Sequence, residues 1–301
     1  APLAASDAFA RALAEFGDAA RARALPVTAA IVKQAAADRG LLQEAVRGRV
    51  TIGEGKHQKH FVSSLMEGTS FVAVRLALDK RASSRRFQEL GLPVPAQAAV
   101  DSIEEAQTAA ERLGWPAVIK PAKGNQGRGV TAAIASLADI GVAFERADRE
   151  GSGVIVESFI RGSEYRLLVV GGRFIAASCR IPPSVIGDGV RTVRDLVAAL
   201  NSDPRRDGLR GRRIAIDEAL VHHVNAQGHG IDEVPEAGRT ISLRTTSNLV
   251  LGGMTVDVTD KVHPDNRRLA ERAAHAIGLD IAGIDFVTED VTRSHHEIGG
   301  A

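Results

Sequence analysis

An α+β fold is the class this sequence predicts, on three observations. Helix-like and strand-like segments are interleaved along the chain, but not in the strict strand–helix–strand alternation of a doubly wound parallel sheet. Neighbouring strand-like runs meet at tight turns, of which Gly171-Gly172 is the clearest, and such turns make antiparallel pairs. The 301 residues are 44% hydrophobic and 25% charged, ordinary for a globular chain with ample core volume.

Residues 3–24 are alanine-rich with charges at helical spacing and predict one or two amphipathic helices; 27–39 repeat the pattern and stop at Gly40. From 50 to 78 the texture is short alternating segments, VTIGEG and FVSSLMEG, then FVAVRLAL. Residues 79–90 predict a helix ended by Gly91. Leu92-Pro93-Val94-Pro95 is a rigid extended connector, because proline fixes its own φ and restricts the residue before it, and a boundary is expected there. Ser102 caps a helix over 102–113, with Glu104 and Glu105 in its first turn and Gly114 at its end. WPAVIKP reads as a buried strand, KGNQGRGV as a glycine-rich turn and TAAIAS as a second strand. A helix over 136–148, a strand over 154–159 and the two strands of EYRLLVVGGRFIAASCRI follow. VRDLVAALN is helical, residues 201–211 form a polar, arginine-rich loop, and a helix is expected near 217–227. LRTTSNLVLGG reads as a strand running into a polar loop, 264–277 as a helix begun by Pro264, and DIAGIDFVTEDV as the last strand.

Lys+Arg 38 against Asp+Glu 37 leaves a net charge of +1, which argues against a surface built for polyanions, so no nucleic-acid partner is expected. Cys179 is the one cysteine; no intrachain disulfide can form, and a reducing compartment fits. No run approaches the ~20 apolar residues of a membrane span. Asp7, Arg11 and Glu15 interrupt the stretch that a signal peptide would keep apolar, and the chain begins at Ala1, as a processed or excised piece does. A cytoplasmic protein without a membrane partner is expected.

The strongest local signal is Val118-Ile119-Lys120-Pro121 followed by Gly124-Asn125-Gln126-Gly127-Arg128-Gly129-Val130. A lysine leaving a buried strand beside a glycine turn suits phosphate: the ammonium neutralises oxygens, and glycines let backbone N–H groups approach them. The glycine order is neither a Walker A loop nor the dinucleotide fingerprint, and the same residues suit a mobile surface hairpin. Lysine occurs only at 33, 56, 59, 80, 120, 123 and 261, so its retention at a strand end favours a compact ammonium there. Glu157 and Glu164 flank a short apolar segment after a strand, where Ser158, Phe159 and Ile160 backbone could read a purine edge and a carboxylate could accept from ribose; a charged strand end is the plainer reading. The planar forks of Arg180 and Arg244 suit phosphate or carboxylate, and equally surface ion pairs. Asp285 lies in an apolar strand, costly to bury unless paired or metal-bound, or else facing water at an edge. The groups His57/His60, His222/His223/His229 and His295/His296 read as solvated or structural, and Cys179 has no base nearby in sequence to support thiol catalysis. Arg205-Arg206 and the run from Arg210 to Arg213 read as a solvated loop, or as a guide for an anionic peptide.

Taken in order, DK, LPVP, VIKP, GNQGRGV, ESFIRGSEYRLLVV, CRIPPSVIGDG, NSDPRR, LRTTSN, GG, DVTD, HPDN and GLDIAGID resemble the ATP-grasp carboxylate–amine ligases, in particular the ATP-grasp module of cyanophycin synthetase. The motifs are also similar to the glutathione-synthetase half of the bifunctional bacterial enzyme. The likeness runs from about Leu25 to about Asp290. It implies an ATP-grasp fold, two α+β subdomains clasping a nucleotide: a helical and mixed N-terminal segment over 1–91, a lid over 92–160 and a C-terminal subdomain over 161–301. It implies an ADP-forming ligase that makes an amide through an acyl phosphate, as in the aspartate-adding step of cyanophycin synthesis, with ATP and Mg²⁺ as cofactors and a small amino acid or peptide as substrate. A glutathione-synthetase-like peptide ligase and a nucleotide-binding module without turnover are the alternatives. A homo-oligomer is compatible, and no interface is located.

By the same resemblance Lys80 and Lys120 would contact phosphates, and the loop with Gly124, Gly127 and Gly129 would close over them. Glu157 and the backbone from Ser158 through Phe159 to Ile160 would meet the adenine, and Glu164 the ribose. Asp285 would hold Mg²⁺; Arg180, Arg244 and Asn248 would serve phosphoryl transfer or the acceptor carboxylate. Three departures stand out, one being that cyanophycin synthetase continues into a Mur-ligase-like domain whose P-loop has no counterpart in this sequence. The Glu-x-Asn metal pair expected after the Asp285 strand is not reached before the closing HHEIGGA, so the C-terminal subdomain reads as truncated; Val250-Leu251 replace the polar Ser-Thr before the double glycine.

Overall fold

The computed structural model describes residues 2–46, 48–123, 129–206, 213–244 and 246–301, without the side chains of 2–7, 20–23, 205 and 250. Internal packing divides it into two units, Ala1–Thr69 and Ser70–Ala301. In the first, helices α1 (Pro2–Arg23) and α2 (Val27–Ala37) precede an antiparallel sheet in the order β1 (Gln43–Val46), β2 (Arg49–Ile52), β3 (Lys59–Val62), β4 (Leu65–Met66). Ala29, Ala36 and Val50 are its buried apolar side chains.

The second unit opens with α3 (Phe71–Leu78) and α4 (Lys80–Glu89). FVAVRLAL, grouped with the alternating segments on sequence, is therefore a helix: the Ser70 hydroxyl accepts from Val72 N–H and starts it, and the carboxylate of Asp79 accepts from Arg81 and Ala82 N–H to start the next. Three layers follow. A four-stranded antiparallel sheet, in the order β5 (Gln97–Val100), β8 (Val154–Ser158), β6 (Ala117–Pro121), β7 (Thr131–Ile134), carries α5 (Ile103–Leu113) and α6 (Ile140–Asp148) on one face. Ala106, Ala110, Ala117, Ile119, Ile140, Ala147 and Val156 fill the space between them without solvent exposure. Ser102 accepts from Glu105 N–H and Gly114 ends α5, as the sequence expects.

The second layer is the antiparallel sheet β13 (Met254–Asp257), β10 (Arg173–Ile181), β9 (Ser163–Val170), β14 (Ile281–Thr288), packed on α9 (Pro264–Ile277) through Leu167, Val169, Ala270, Ala274, Ala282 and Phe286. The β9–β10 hairpin turns at Gly171 and Gly172, both with positive φ. The third is the small pair β11 (Ser184–Ile186) and β12 (Thr240–Ser242) with α7 (Val193–Asn201) and α8 (Glu218–Asn225) around Val193, Leu220, Ile241 and Leu243. The expected strand at LRTTSNLVLGG is thus displaced: β12 ends at Ser242, and Leu249–Leu251 form a short 3₁₀ turn. A last short helix, α10, spans His295–Ile298.

The arginine-rich loop is also corrected. Arg206 is buried and donates to the Gly252 carbonyl at 2.7 Å, so it is part of the fold rather than a solvated charge. Arg210 and Arg212 lie outside the described residues, as do Gly124 and Gly127 of the glycine-rich turn. No described helix is long and apolar enough to cross a membrane.

Candidate nucleotide site

Strand alternation decides which side chains can meet. On β6, Ala117 and Ile119 point into the helix-covered core, so Val118 and Lys120 take the opposite face. Antiparallel register places Lys120 opposite Ile155 and Val118 opposite Glu157. Lys120 and Glu157 are therefore diagonal neighbours on one face, and they form an ion pair, 18% and 14% exposed. Lys80, from the first turn of α4, donates to the Pro121 carbonyl at 3.4 Å, beside the same strand end. Burial and the neighbouring Lys120 push the Lys80 pKa below the usual lysine value, partly offset by Glu157.

Past Glu157 the strand becomes a hinge. Ser158 N–H donates to the Ala96 carbonyl at 2.8 Å, Ala96 N–H returns a bond to the Ser158 hydroxyl, and Phe159 N–H donates to the Pro116 carbonyl. The hinge backbone is thereby fixed, with Ile160 at its end. Below Lys120, the Ser152 hydroxyl accepts from Lys123 N–H at 3.0 Å and so anchors one end of the glycine-rich turn. Gly129 begins the other end at φ +67°, where a Cβ would press on Pro121, Glu150 and the Arg146 carbonyl.

The second sheet supplies the opposing chemistry. Tyr165, Leu167 and Val169 of β9 face the core, which sends Glu164 and Arg166 to the other face. Register sets Arg166 opposite Asp285 on one side and Glu164 opposite Arg180 on the other. Asp285 Oδ1 lies 2.9 Å from Arg166 Nη1 and 3.4 Å from Arg180 Nη1. The carboxylate is not buried: its side chain is 66% exposed on an edge strand, and it is paired with both arginines. Gly283 makes this possible, since a Cβ there would collide with the Arg166 guanidinium lying across β14.

Glu164 accepts a hydrogen bond from the buried hydroxyl of Ser247, which ties the segment at 246–248 to this face. Arg244 is buried and bound to Asp217 Oδ2 at 2.8 Å and to the Ala215 carbonyl, and it holds the Asp217 carboxyl below its usual range. Asn248 accepts from Leu251 and Gly253 N–H through its carbonyl. Arg244 is thus anchored to the third layer, at the start of α8.

Lys80, Lys120, Glu157 and Asp285 border one cavity of about 400 Å³, most of whose wall is apolar and comes from α4, α9 and β14 (Phe87, Leu269, Ala273, Ile277, Ala282 and Phe286), with Gln97 and the Leu92–Pro95 connector at its side. The sequence-predicted residues brought to it are these four; Glu164 and Arg180 sit on the neighbouring sheet face, and Arg244 and Asn248 on the loop that Ser247 joins to it. Sequence reasoning missed Arg166 and Ser247. For Arg166 a signal existed, its two-residue spacing from Glu164; for Ser247 none did. Cys179 is half-buried and desolvation raises its thiol pKa, consistent with an unreactive side chain. Among the described residues no three His, Cys, Asp or Glu side chains gather as an all-protein metal site.

Two antiparallel sheets that bring a lysine–glutamate pair and an aspartate to one cavity are the frame of an ATP-grasp protein. Residues 85–184 match the ATP-grasp domain. The chain is 39% identical over 262 residues to cyanophycin synthetase of Crocosphaera subtropica, covering 85% of this chain and 30% of that protein. It is 34% identical over 231 residues to the glutathione biosynthesis bifunctional protein of Mannheimia succiniciproducens, covering 74% and 30%. The crystal structure of a bifunctional glutathione synthetase from Pasteurella multocida matches with a TM-score of 0.58 and 28% identity, over 85% of this chain and 36% of that one. The chain spans about a third of the length of these relatives. It carries an ATP-grasp domain over residues 85–184 and, over most of its length, resembles cyanophycin synthetase.

Proposed function

We propose that the protein is an ATP-dependent, ADP-forming carboxylate–amine ligase acting on a small amino acid or peptide, of the kind that adds aspartate in cyanophycin synthesis. The observation that carries this reading is the convergence of Lys80, Lys120 and Asp285 on one cavity. A nucleotide fits the groups present: two ammonium groups for phosphate oxygens, a carboxylate beside one of them for an exocyclic amine, and a fixed hinge backbone ending at Ile160 for a purine edge. Mg²⁺ fits too, because it is commonly held by one or two carboxylates with substrate phosphates and water rather than by an all-protein cage; Asp285 would hold it. When bound, ATP and Mg²⁺ supply the phosphoryl group and the charge that let a carboxylate become an acyl phosphate.

The chain's own part is electrostatic. Transfer to a carboxylate brings anions together, and fixed cations aimed at that charge lower the barrier. Lys80 and Lys120 hold the phosphate end. Arg166 and Arg180 flank Asp285 and hold its orientation, leaving guanidinium edges for the transferring group or the acceptor carboxylate. Glu164, held by Ser247, takes the ribose; Arg244 and Asn248 shape the loop that carries Ser247. The turn with Gly124, Gly127 and Gly129 closes over the phosphates and excludes water. In this reading residues 92–160 form the lid, supported by the self-contained core between the first sheet, α5 and α6, and 161–301 the C-terminal subdomain after the 1–91 segment; the protein works in the cytoplasm.

The test is ADP release by the purified protein with ATP and Mg²⁺ across a panel of carboxylate and amine pairs, with hydroxylamine added to trap an acyl phosphate as hydroxamate. Acceptor-dependent ADP and a trapped hydroxamate are expected. Similarity to the glutathione proteins keeps a thiol-peptide ligase as the second reading, and dependence on a γ-glutamyl thiol peptide would select it. ATP binding without ADP release or hydroxamate would leave a binding module.

A further inference from the structure

Helix α4 has two working faces. Lys80, Ser83, Ser84 and Phe87 look into the cavity described above. Arg81, Arg85 and Gln88 line a second cavity of about 220 Å³, whose other wall is Gln97 and Ala99 of β5 and Ile155 of β8. Among the described residues neither Arg81 nor Arg85 makes a side-chain hydrogen bond or ion pair, although carboxylates lie close in sequence. Those carboxylates are committed elsewhere. Asp79 caps α4 through the backbone N–H groups of Arg81 and Ala82, and Glu89 pairs with Arg86 at 3.5 Å.

Two like charges one turn apart on a helix repel each other. Here both guanidinium groups are exposed at the wall of the cavity, and an anion bound between them would relieve that repulsion. Planar guanidinium groups suit the paired oxygens of an oxyanion, and the amides of Gln88 and Gln97 can bond its remaining atoms. The cavity is too small for a nucleotide, which takes roughly 300 Å³ or more.

We infer that this cavity is a second ligand site, binding a small oxyanion, a carboxylate or phosphate group, through Arg81 and Arg85. Gln97 borders both cavities, so the anion lies next to the proposed nucleotide site but on its own cations, and the inference does not rest on the proposed ligase activity.

The experiment is calorimetric titration of the whole protein with inorganic phosphate and, separately, with succinate, in the presence of excess Mg·ADP. At least one probe is expected to bind in the millimolar range or tighter. Succinate alone assigns a carboxylate ligand, phosphate alone a phosphate ligand, and both the shared oxyanion chemistry. Arg81→Gln/Arg85→Gln is expected to weaken binding roughly tenfold or more, with either single change intermediate, while Lys120→Met leaves it unchanged. Both arginines are exposed, so an unchanged melting temperature is the control for folding. Binding by neither probe overturns the inference. So does binding that is lost in Lys120→Met yet kept in the double arginine variant, which would put the ion in the nucleotide cavity. A failure of ADP itself to bind would count against the proposed function while leaving the anion titration readable.

Discussion

Arg166 and Asp285 are register partners on adjacent antiparallel strands, and their side chains meet at 2.9 Å on the face that turns away from the core. Arg180 approaches the same carboxylate oxygen at 3.4 Å from the next strand across. An exposed pair of this kind adds about 0–1 kcal/mol to stability, too little to explain two arginines on one aspartate. Its use is more naturally sought in orienting the carboxylate.

Asp285→Asn should therefore separate activity from stability. ADP release is expected to fall by about two orders of magnitude, as for loss of a group that stabilises transition-state charge, while the urea midpoint stays within the small range of a surface pair. Steady-state rates and equilibrium unfolding of the same preparation check both halves.

Lys120 and Glu157 behave differently because both are largely buried. Lys120→Met leaves a carboxylate without its partner, at a cost of about 1–3 kcal/mol. Lys120→Met/Glu157→Gln removes both charges and is expected to recover much of that stability without recovering nucleotide affinity. Urea unfolding and nucleotide titration across the double-mutant cycle provide the check.

Lys80 gives a pH dependence with a definite sign. Its folded pKa lies below that of the unfolded chain, chiefly through burial, so the unfolded state holds the proton more tightly. The penalty is full below the folded pKa and disappears as pH rises through the unfolded value; stability from this group increases with pH across that window. A phosphate beside Lys80 restores its proton affinity. Nucleotide binding is therefore expected to take up a proton in the alkaline range and to weaken as pH rises, and Lys80→Met should abolish the uptake. Calorimetry in buffers of different ionisation enthalpy measures it.

Arg206→Ala removes a buried donor from the Gly252 carbonyl. A loss of about 1.5–3 kcal/mol is expected, the range for a charged hydrogen bond. Gly252→Ala should destabilise too, because φ is +95° there and a Cβ would strike Ile214. Urea unfolding distinguishes these from a surface loop, which would tolerate both.

Much of this fold could be read from local chemistry. Ser102 with Glu104 and Glu105 announced α5, Pro264 announced α9, and Gly171-Gly172 announced the β9–β10 hairpin. What escaped depended on distant partners. β5, β11 and β13 are three or four residues long and are strands only because β8, β12 and β10 pair with them. FVAVRLAL is apolar except for Arg75 and has no clear period, so only its Ser70 cap marked it as a helix. In the site, Lys120, Glu157 and Asp285 stood out by composition, since each is a charge within an apolar run. Arg166 gains its meaning only when β9 aligns with β14, and Arg206 only when its loop folds back on Gly252.

Titration of the purified protein with Mg·ADP, followed by the same titration of Lys80→Met, Lys120→Met and Asp285→Asn, addresses the shared cavity itself. One nucleotide per chain is expected for the wild type, with affinity lowered roughly tenfold or more in each lysine variant and Mg²⁺ dependence lost in Asp285→Asn. Equal affinity and equal Mg²⁺ dependence in all four proteins would mean that the nucleotide, if bound, is held elsewhere.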